Sequence, residues 1–293
     1  MMTNNSRRKM AVFTMDLENF TDTGCIMESG LQFDQDMLDG LDEYVAILDK
    51  YDIKATFFAV CEAAQSVKDR LKKYISNGHD LALHGYDHTA PMKLSCDEFR
   101  YKIEAAKKWL EELFDVEVKG YRAPFFSLDN EHLEVLSELG FKYDSSRFDF
   151  PKRVHAAEIN TSQFKKITEN IFKHGDFFEF GVPCHRWMGL RIPVSGGGYV
   201  RMSEWTFLSS MLMQYLSHSD YYVFYLHPFE VSKMKMPATP NLKGYDQYYL
   251  RAGVKRYPNK IERIIKMLKK QGYEFVTFNE LSERLMQGEK IFN

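Results

Sequence analysis

Apolar positions along this chain follow two alternating rhythms. Short apolar runs lie at 10–15, 55–60, 81–83, 116–121, 141–143, 177–182, 221–226 and 274–277, and runs of this length bounded by polar residues read as buried strands. Between them apolar residues recur at helical spacing. Over Phe33 to Tyr51, the positions Met37, Leu38, Leu41, Tyr44, Val45 and Leu48 predict one long amphipathic helix. A second is expected after Val60, ending at Asn77-Gly78. Ser95-Cys96-Asp97-Glu98 has the form of a capping box and opens a helix to Phe114. Asn130 is the expected cap of a helix that carries Leu133, Leu136 and Leu139 and stops at Gly140. Further helices are expected at Ser203 to Ser217, at Asn259 to Gln271, and after a cap at Asn279. Glu230 to Pro258 reads as a long polar surface connection, with a lid over an active site the alternative.

About seven strand and helix alternations predict an α/β chain with a mainly parallel sheet covered by helices. The rhythm breaks between Arg147 and Arg201, where the turn-rich Ser195-Gly196-Gly197-Gly198 suggests an insertion or hairpin region. No composition shift marks a second domain. The expected organisation is a flexible stretch at 1–9, then a single domain over 10–293 with an insertion around 147–201.

Composition narrows the class. The 293 residues are 44% hydrophobic and 27% charged, as in an ordinary globular protein. With 41 acidic against 39 basic side chains the formal charge is −2, which argues against a nucleic-acid surface. The six-residue apolar run after the basic start is too short for a secretory signal, and no run reaches membrane-spanning length. The four cysteines are widely spaced and suggest no disulfide framework or zinc ribbon. A cytoplasmic location is the expectation.

Chemistry collects where the strands end. The Leu81-Ala82-Leu83 run meets His84 and, four positions on, His88. Two imidazoles so placed can share one ion with a carboxylate from elsewhere, leaving a position open for water. Asp16, Glu18, Arg122, Asp144 and His227 also follow directly on predicted strands. In a parallel fold those carboxyl ends share one rim, where active sites are built.

Five stretches, in this order, resemble the polysaccharide deacetylase family, the carbohydrate esterases that include chitin and peptidoglycan deacetylases. They are Thr14-Met15-Asp16-Leu17-Glu18, Ala55-Thr56-Phe57-Phe58, His84 to His88, Arg122-Ala123-Pro124-Phe125 and Leu226-His227-Pro228. Pro193 to Tyr199 and Tyr225 to Glu230 are similar to a subgroup of bacterial exopolysaccharide biosynthesis. The resemblance implies a distorted (β/α) barrel of about seven strands and removal of an N-acetyl group from an amino sugar or glycan precursor. It also leaves open opening of a cyclic amide or ureide, and a glycan-binding relative without catalysis. The common motif has adjacent aspartates after the first strand, whereas here Leu17 stands at the second position. Residues at i and i+2 of a strand share a face, so Asp16 and Glu18 could both enter the site, and either could be the metal's carboxylate.

On this resemblance Glu18, His84 and His88 are assigned to a divalent metal, zinc by ligand type. Asp16 is the expected general base, Arg122 its bidentate holder, and His227 the general acid for the leaving amine. Asp144 is expected to orient His227 or bind substrate, with an N-cap or turn role the alternative. Tyr86, Phe125, Phe126 and Trp187 are candidates to stack on sugar, with core packing the alternative. The triple glycine lacks the lysine of a phosphate loop, and Cys184-His185 reads as structural.

Overall fold

The computed structural model describes residues 8–150 and 159–292. Twelve strands are present among them: β1 (Lys9–Leu17), β2 (Ala55–Val60), β3 (Asp80–Gly85), β4 (Gly120–Tyr121), β5 (Tyr143–Asp144), β6 (Lys165–Lys166), β7 (Ile171–His174), β8 (Phe177–Phe180), β9 (Cys184–Trp187), β10 (Leu190–Pro193), β11 (Tyr221–Phe224) and β12 (Tyr273–Phe275). Seven of them run parallel in the order β11-β1-β2-β3-β4-β5-β8, with β12 parallel beside the start of β1. The sheet curls into a half-barrel. Gly197 N–H donates to the Tyr225 carbonyl and Tyr225 N–H to the Ser195 carbonyl, 2.9 Å each, which extends its edge beyond β11.

The helices are α1 (Gly24–Ser29), α2 (Gly40–Asp49), α3 (Cys61–Ser66), α4 (Lys68–Ser76), α5 (Cys96–Phe114), α6 (Asn130–Glu138), α7 (Gly197–Met202), α8 (Trp205–His218), α9 (Gly244–Arg251), α10 (Tyr257–Lys270) and α11 (Phe278–Met286). Those that follow strands pack on the outer face, where Ala11, Phe13, Met15 and Leu17 of β1 join their core. Met10 and Val12 point the other way, into an inner cluster with Phe58, Phe178, Phe180, Tyr221 and Val223, plugged by Phe278 and Leu281 of α11. This two-residue alternation is the reason one strand serves both layers.

Several boundaries differ from the sequence reading. The expected helix from Phe33 begins only at Gly40, because Met37 takes a left-handed conformation (φ 57°) and Asp36 accepts the Leu38 amide at 3.0 Å. The helix expected after Val60 is two helices broken at Val67. Asp129, not Asn130, caps α6, and Thr277, not Asn279, caps α11. The long connection after Glu230 contains α9. In the insertion, β7 and β6 extend the sheet antiparallel to β8, and β9 with β10 forms a separate hairpin. The flexible start expected at 1–9 lies outside the described residues as far as residue 7, and Lys9 already belongs to β1.

Candidate active site

The inward face of β1 changes character along its length. After Met10 and Val12 come Thr14, Asp16 and, just past the strand, Glu18, all buried. Leu17 packs outward against the helices, so the spacing of the two acids puts both carboxylates on the inner side. β3 ends in His84 on the same side. Gly85 then turns at φ 126°, where a β-carbon would sit 2.7 Å from the Asp87 carbonyl; only glycine accepts that turn readily. The chain folds back so that the His84 and His88 rings lie 5.2 Å apart.

Glu18 stands between them. Its Oε2 is 2.6 Å from His88 Nε2 and 3.6 Å from His84 Nε2. His84 Nδ1 lies 2.8 Å from the Arg122 carbonyl, an arrangement in which Nδ1 carries the proton and the Nε2 lone pair faces Glu18. One donor atom from each of the three residues lies within 4.8 Å of the others, the single such group among the described residues. His88 Nδ1 is buried without a hydrogen-bond partner. This donor set fits a divalent cation. Burial alone would raise the Glu18 pKa, but His88, His227 and the hydrogen bonds of His84 and His88 together hold it well below the usual carboxylate range. For His88 burial pulls downward and is outweighed by Glu18, so its value is raised.

Arg122 is wholly buried and spreads over several partners rather than gripping one carboxylate. Its Nη1 donates to Asp16 Oδ1 at 2.6 Å and to Thr14 Oγ1 at 2.9 Å, Nε donates to the Ser145 carbonyl at 3.1 Å, and Nη2 to Ser145 Oγ at 2.9 Å. The bidentate contact expected from the sequence is therefore a single one, because the other arms fix the turn after β5. The guanidinium also lies 4.1 Å from the Phe58 ring centre.

His227, one-fifth exposed at most, faces this group from β11. Its Nε2 is 4.0 Å from both Asp16 Oδ2 and Glu18 Oε1. The residue that orients it is Glu230, not Asp144. Glu230 Oε2 accepts the His227 backbone amide at 3.0 Å and lies 3.1 Å from Nδ1. Its Oε1 accepts Arg201 Nε at 2.8 Å, with both of those side chains fully buried. Against the downward pull of burial, Glu18, Glu230 and Asp16 raise the His227 pKa to about 9. Asp144 points elsewhere: it accepts the Ser146 amide and hydroxyl at 2.7 Å each and faces Glu179, a carboxyl that burial and Asp144 push well above its ordinary range. Its place on the strand next to β8, with the side chain opposite to the inward Tyr143, explains why it misses the site.

A cavity of about 440 Å³ opens over these groups, lined by Asp16, Glu18, His84, His88 and His227. Phe125 and Phe126 also line it, both with left-handed backbone (φ 59° and 55°), the kind of strain that clusters at functional sites. Tyr86 and Trp187 do not line it; Trp187 packs against Phe207. Sequence reading missed Glu230 and Arg201. The first carried a signal, an acid three residues after His227 where a short turn begins; the second carried none.

Comparison with known proteins follows the same geometry. The polysaccharide deacetylase family profile matches residues 26–143, and a domain of unknown function, DUF3473, matches 146–283. A peptidoglycan deacetylase of Helicobacter pylori is 26% identical over 107 residues, 36% of either chain, so this chain spans about a third of that relative's length. The structure of a putative polysaccharide deacetylase from Mycobacterium smegmatis superposes with TM-score 0.63 at 17% identity, covering 98% of this chain and 93% of the other. An allantoinase structure superposes with TM-score 0.60 at 14% identity, covering 99% and 94%. These likenesses place the barrel, with its first, third and fourth strands, among the folds of those enzymes. That profile lies over the strands that carry the paired histidines and Arg122, and over residues 26–143 the chain is similar to the polysaccharide deacetylase family.

Proposed function

We propose that this protein is a metal-dependent hydrolase that removes an N-acetyl group from an amino sugar or glycan precursor in bacterial surface-polysaccharide biosynthesis. The observation that carries the reading is the opposition of two held groups across one ion-binding triad: Asp16 on Arg122 to one side, His227 on Glu230 to the other. The biosynthetic setting rests on the stretches at 193–199 and 225–230, from which Gly198, Tyr199, Tyr225 and His227 line the cavity.

Glu18, His84 and His88 would hold the cation, and imidazole with carboxylate suits zinc. A bound divalent ion supplies polarisation of the amide carbonyl and a lowered pKa for water. The chain's own residues do the rest. Asp16 Oδ1 is committed to Arg122, so Oδ2 is the atom that takes the proton from the attacking water. As the C–N bond breaks, Nε2–H of His227 donates to the leaving nitrogen, giving acetate and a free amine. Glu230 keeps Nδ1–H in place so that the proton given up is the one facing the site.

Elemental analysis of the purified protein, with acetate release measured across N-acetylated sugars, tests the proposal. Stoichiometric zinc with acetate release is the expected result. Ring-opening of a cyclic amide without acetate would favour the allantoinase-like chemistry, and absence of metal with unaltered ligand affinity in Asp16→Asn would favour a binding module.

A further inference from the structure

In the hydrolysis proposed above, His227 gives its proton to the departing nitrogen, and that nitrogen belongs to the sugar. The sugar ring therefore lies on the His227 side of the cavity. The wall on that side includes α9. Phe229 stacks on His227 with ring centres 6.0 Å apart and packs in one cluster with Tyr249 and Leu250 of that helix. Arg201, held by Glu230, donates onward to the Tyr249 carbonyl at 2.6 Å and to the Ala252 carbonyl. Arg251 ties the same helix to the Pro237 carbonyl at 2.8 Å and to Thr239 Oγ1 at 2.9 Å. Side chains carried on a helix anchored at these points hold their place.

Three residues of α9 line the cavity: Tyr245, Asp246 and Tyr249. At about 3.6 residues per turn they share one face of the helix, with Tyr245 one turn, about 5.4 Å, from Tyr249. Tyr249 is partly buried, whereas Tyr245 is 69% exposed. An aromatic ring so open at the edge of a catalytic cavity presents an uncovered apolar face. Beside it, the Asp246 carboxylate has no hydrogen bond or ion pair among the described residues. A pyranose offers the complement of this pair: an apolar face of C–H groups that lies on an aromatic ring, and a rim of hydroxyl donors that a carboxylate accepts. Tyr248, 60% exposed on the same helix, stays outside the cavity lining.

We propose that Tyr245 and Asp246 form a second sugar subsite, which takes the residue joined to the one being deacetylated, so that the substrate is an oligosaccharide and not a single sugar. The proposal rests on the amino-sugar reading, which puts the sugar toward His227. The probes are N-acetylglucosamine and its β-1,4-linked dimer, followed on the intact protein by acetate-release kinetics and saturation-transfer NMR. The native chain should show a kcat/KM at least about tenfold higher for the dimer, from one stacked ring and one charge-assisted hydrogen bond. Combining Tyr245→Ala with Asp246→Ala should bring the dimer-to-monomer ratio close to one and confine saturation to one residue of the dimer. Tyr245→Phe, which retains the ring, and Tyr248→Ala, outside the cavity, should both keep the native ratio. Equal kcat/KM for the two probes in the native chain, a ratio that survives the double substitution, or an equal loss in Tyr248→Ala would overturn the subsite. Saturation of both residues of the dimer without acetate release would uphold the subsite while removing the catalytic reading. No saturation of either probe would overturn both.

Discussion

Replacing Glu230 with glutamine separates the acid's support from the rest of the machinery. Every hydrogen bond the carboxylate makes is accepted: His227 N and Nδ1 on Oε2, Arg201 Nε on Oε1. Glutamine offers only one acceptor oxygen. Turned toward Arg201 it points its NH₂ at the two His227 donors; turned toward His227 it points NH₂ at Nε–H. In either orientation the Arg201 guanidinium, fully buried, loses its counter-charge. An uncompensated buried charge costs about 3–5 kcal/mol, which for a chain of this size lowers Tm by about 5–8 °C. On catalysis, losing a positioned general acid costs about 10²- to 10⁴-fold. That loss should fall on an N-acetyl amide and spare an aryl acetate ester, whose leaving group needs no proton. Thermal unfolding and parallel amide and ester kinetics measure both effects. Adding Arg201→Met to the variant removes the stranded charge, so Tm should recover while amide turnover stays low. Equal losses on amide and ester would refute the assignment of His227 as an acid steered by Glu230, and an unchanged Tm would refute the buried-charge argument.

Other expectations follow from the same geometry. Asp16→Asn should abolish turnover and also destabilise, by about 3–5 kcal/mol, because Arg122 is buried against that carboxylate; denaturant unfolding measures it. His84→Ala or His88→Ala should lose bound metal by elemental analysis, and chelation should inactivate the native protein reversibly. Glu179 retains its proton in the fold to a higher pH than its ordinary 4.5, so the native state binds more protons than the unfolded one above that value and stability falls as pH rises. Glu179→Gln should therefore gain stability over the native chain at alkaline pH and little at pH 4, read by Tm across the range.

What was legible followed from strict periodicities. Alternation along β1 put Asp16 and Glu18 on one face, and the strand-end rule brought His84, His88, Arg122 and His227 to one mouth. Asp144 failed for the same reason that the others succeeded: at a two-residue strand, a shift of one position reverses the face, and Tyr143 took the inward side. Helix starts failed where side chains compete with the backbone, as Asp36 does before α2. Arg201 was hidden because two of its partners, the Tyr249 and Ala252 carbonyls, are backbone atoms that leave no trace in residue identity, and the third, Glu230, lies 29 residues away.

The double duty of β1 makes its length unforgiving. Inserting a single residue between Met10 and Asp16 would deliver methionine and leucine to the reaction chamber and drive two carboxylates into the oily layer beneath the helices. Misaligned pairing is thus penalised twice, by charge in the wrong solvent and by apolar groups without company. This segment acts as the ruler against which the other strands are set.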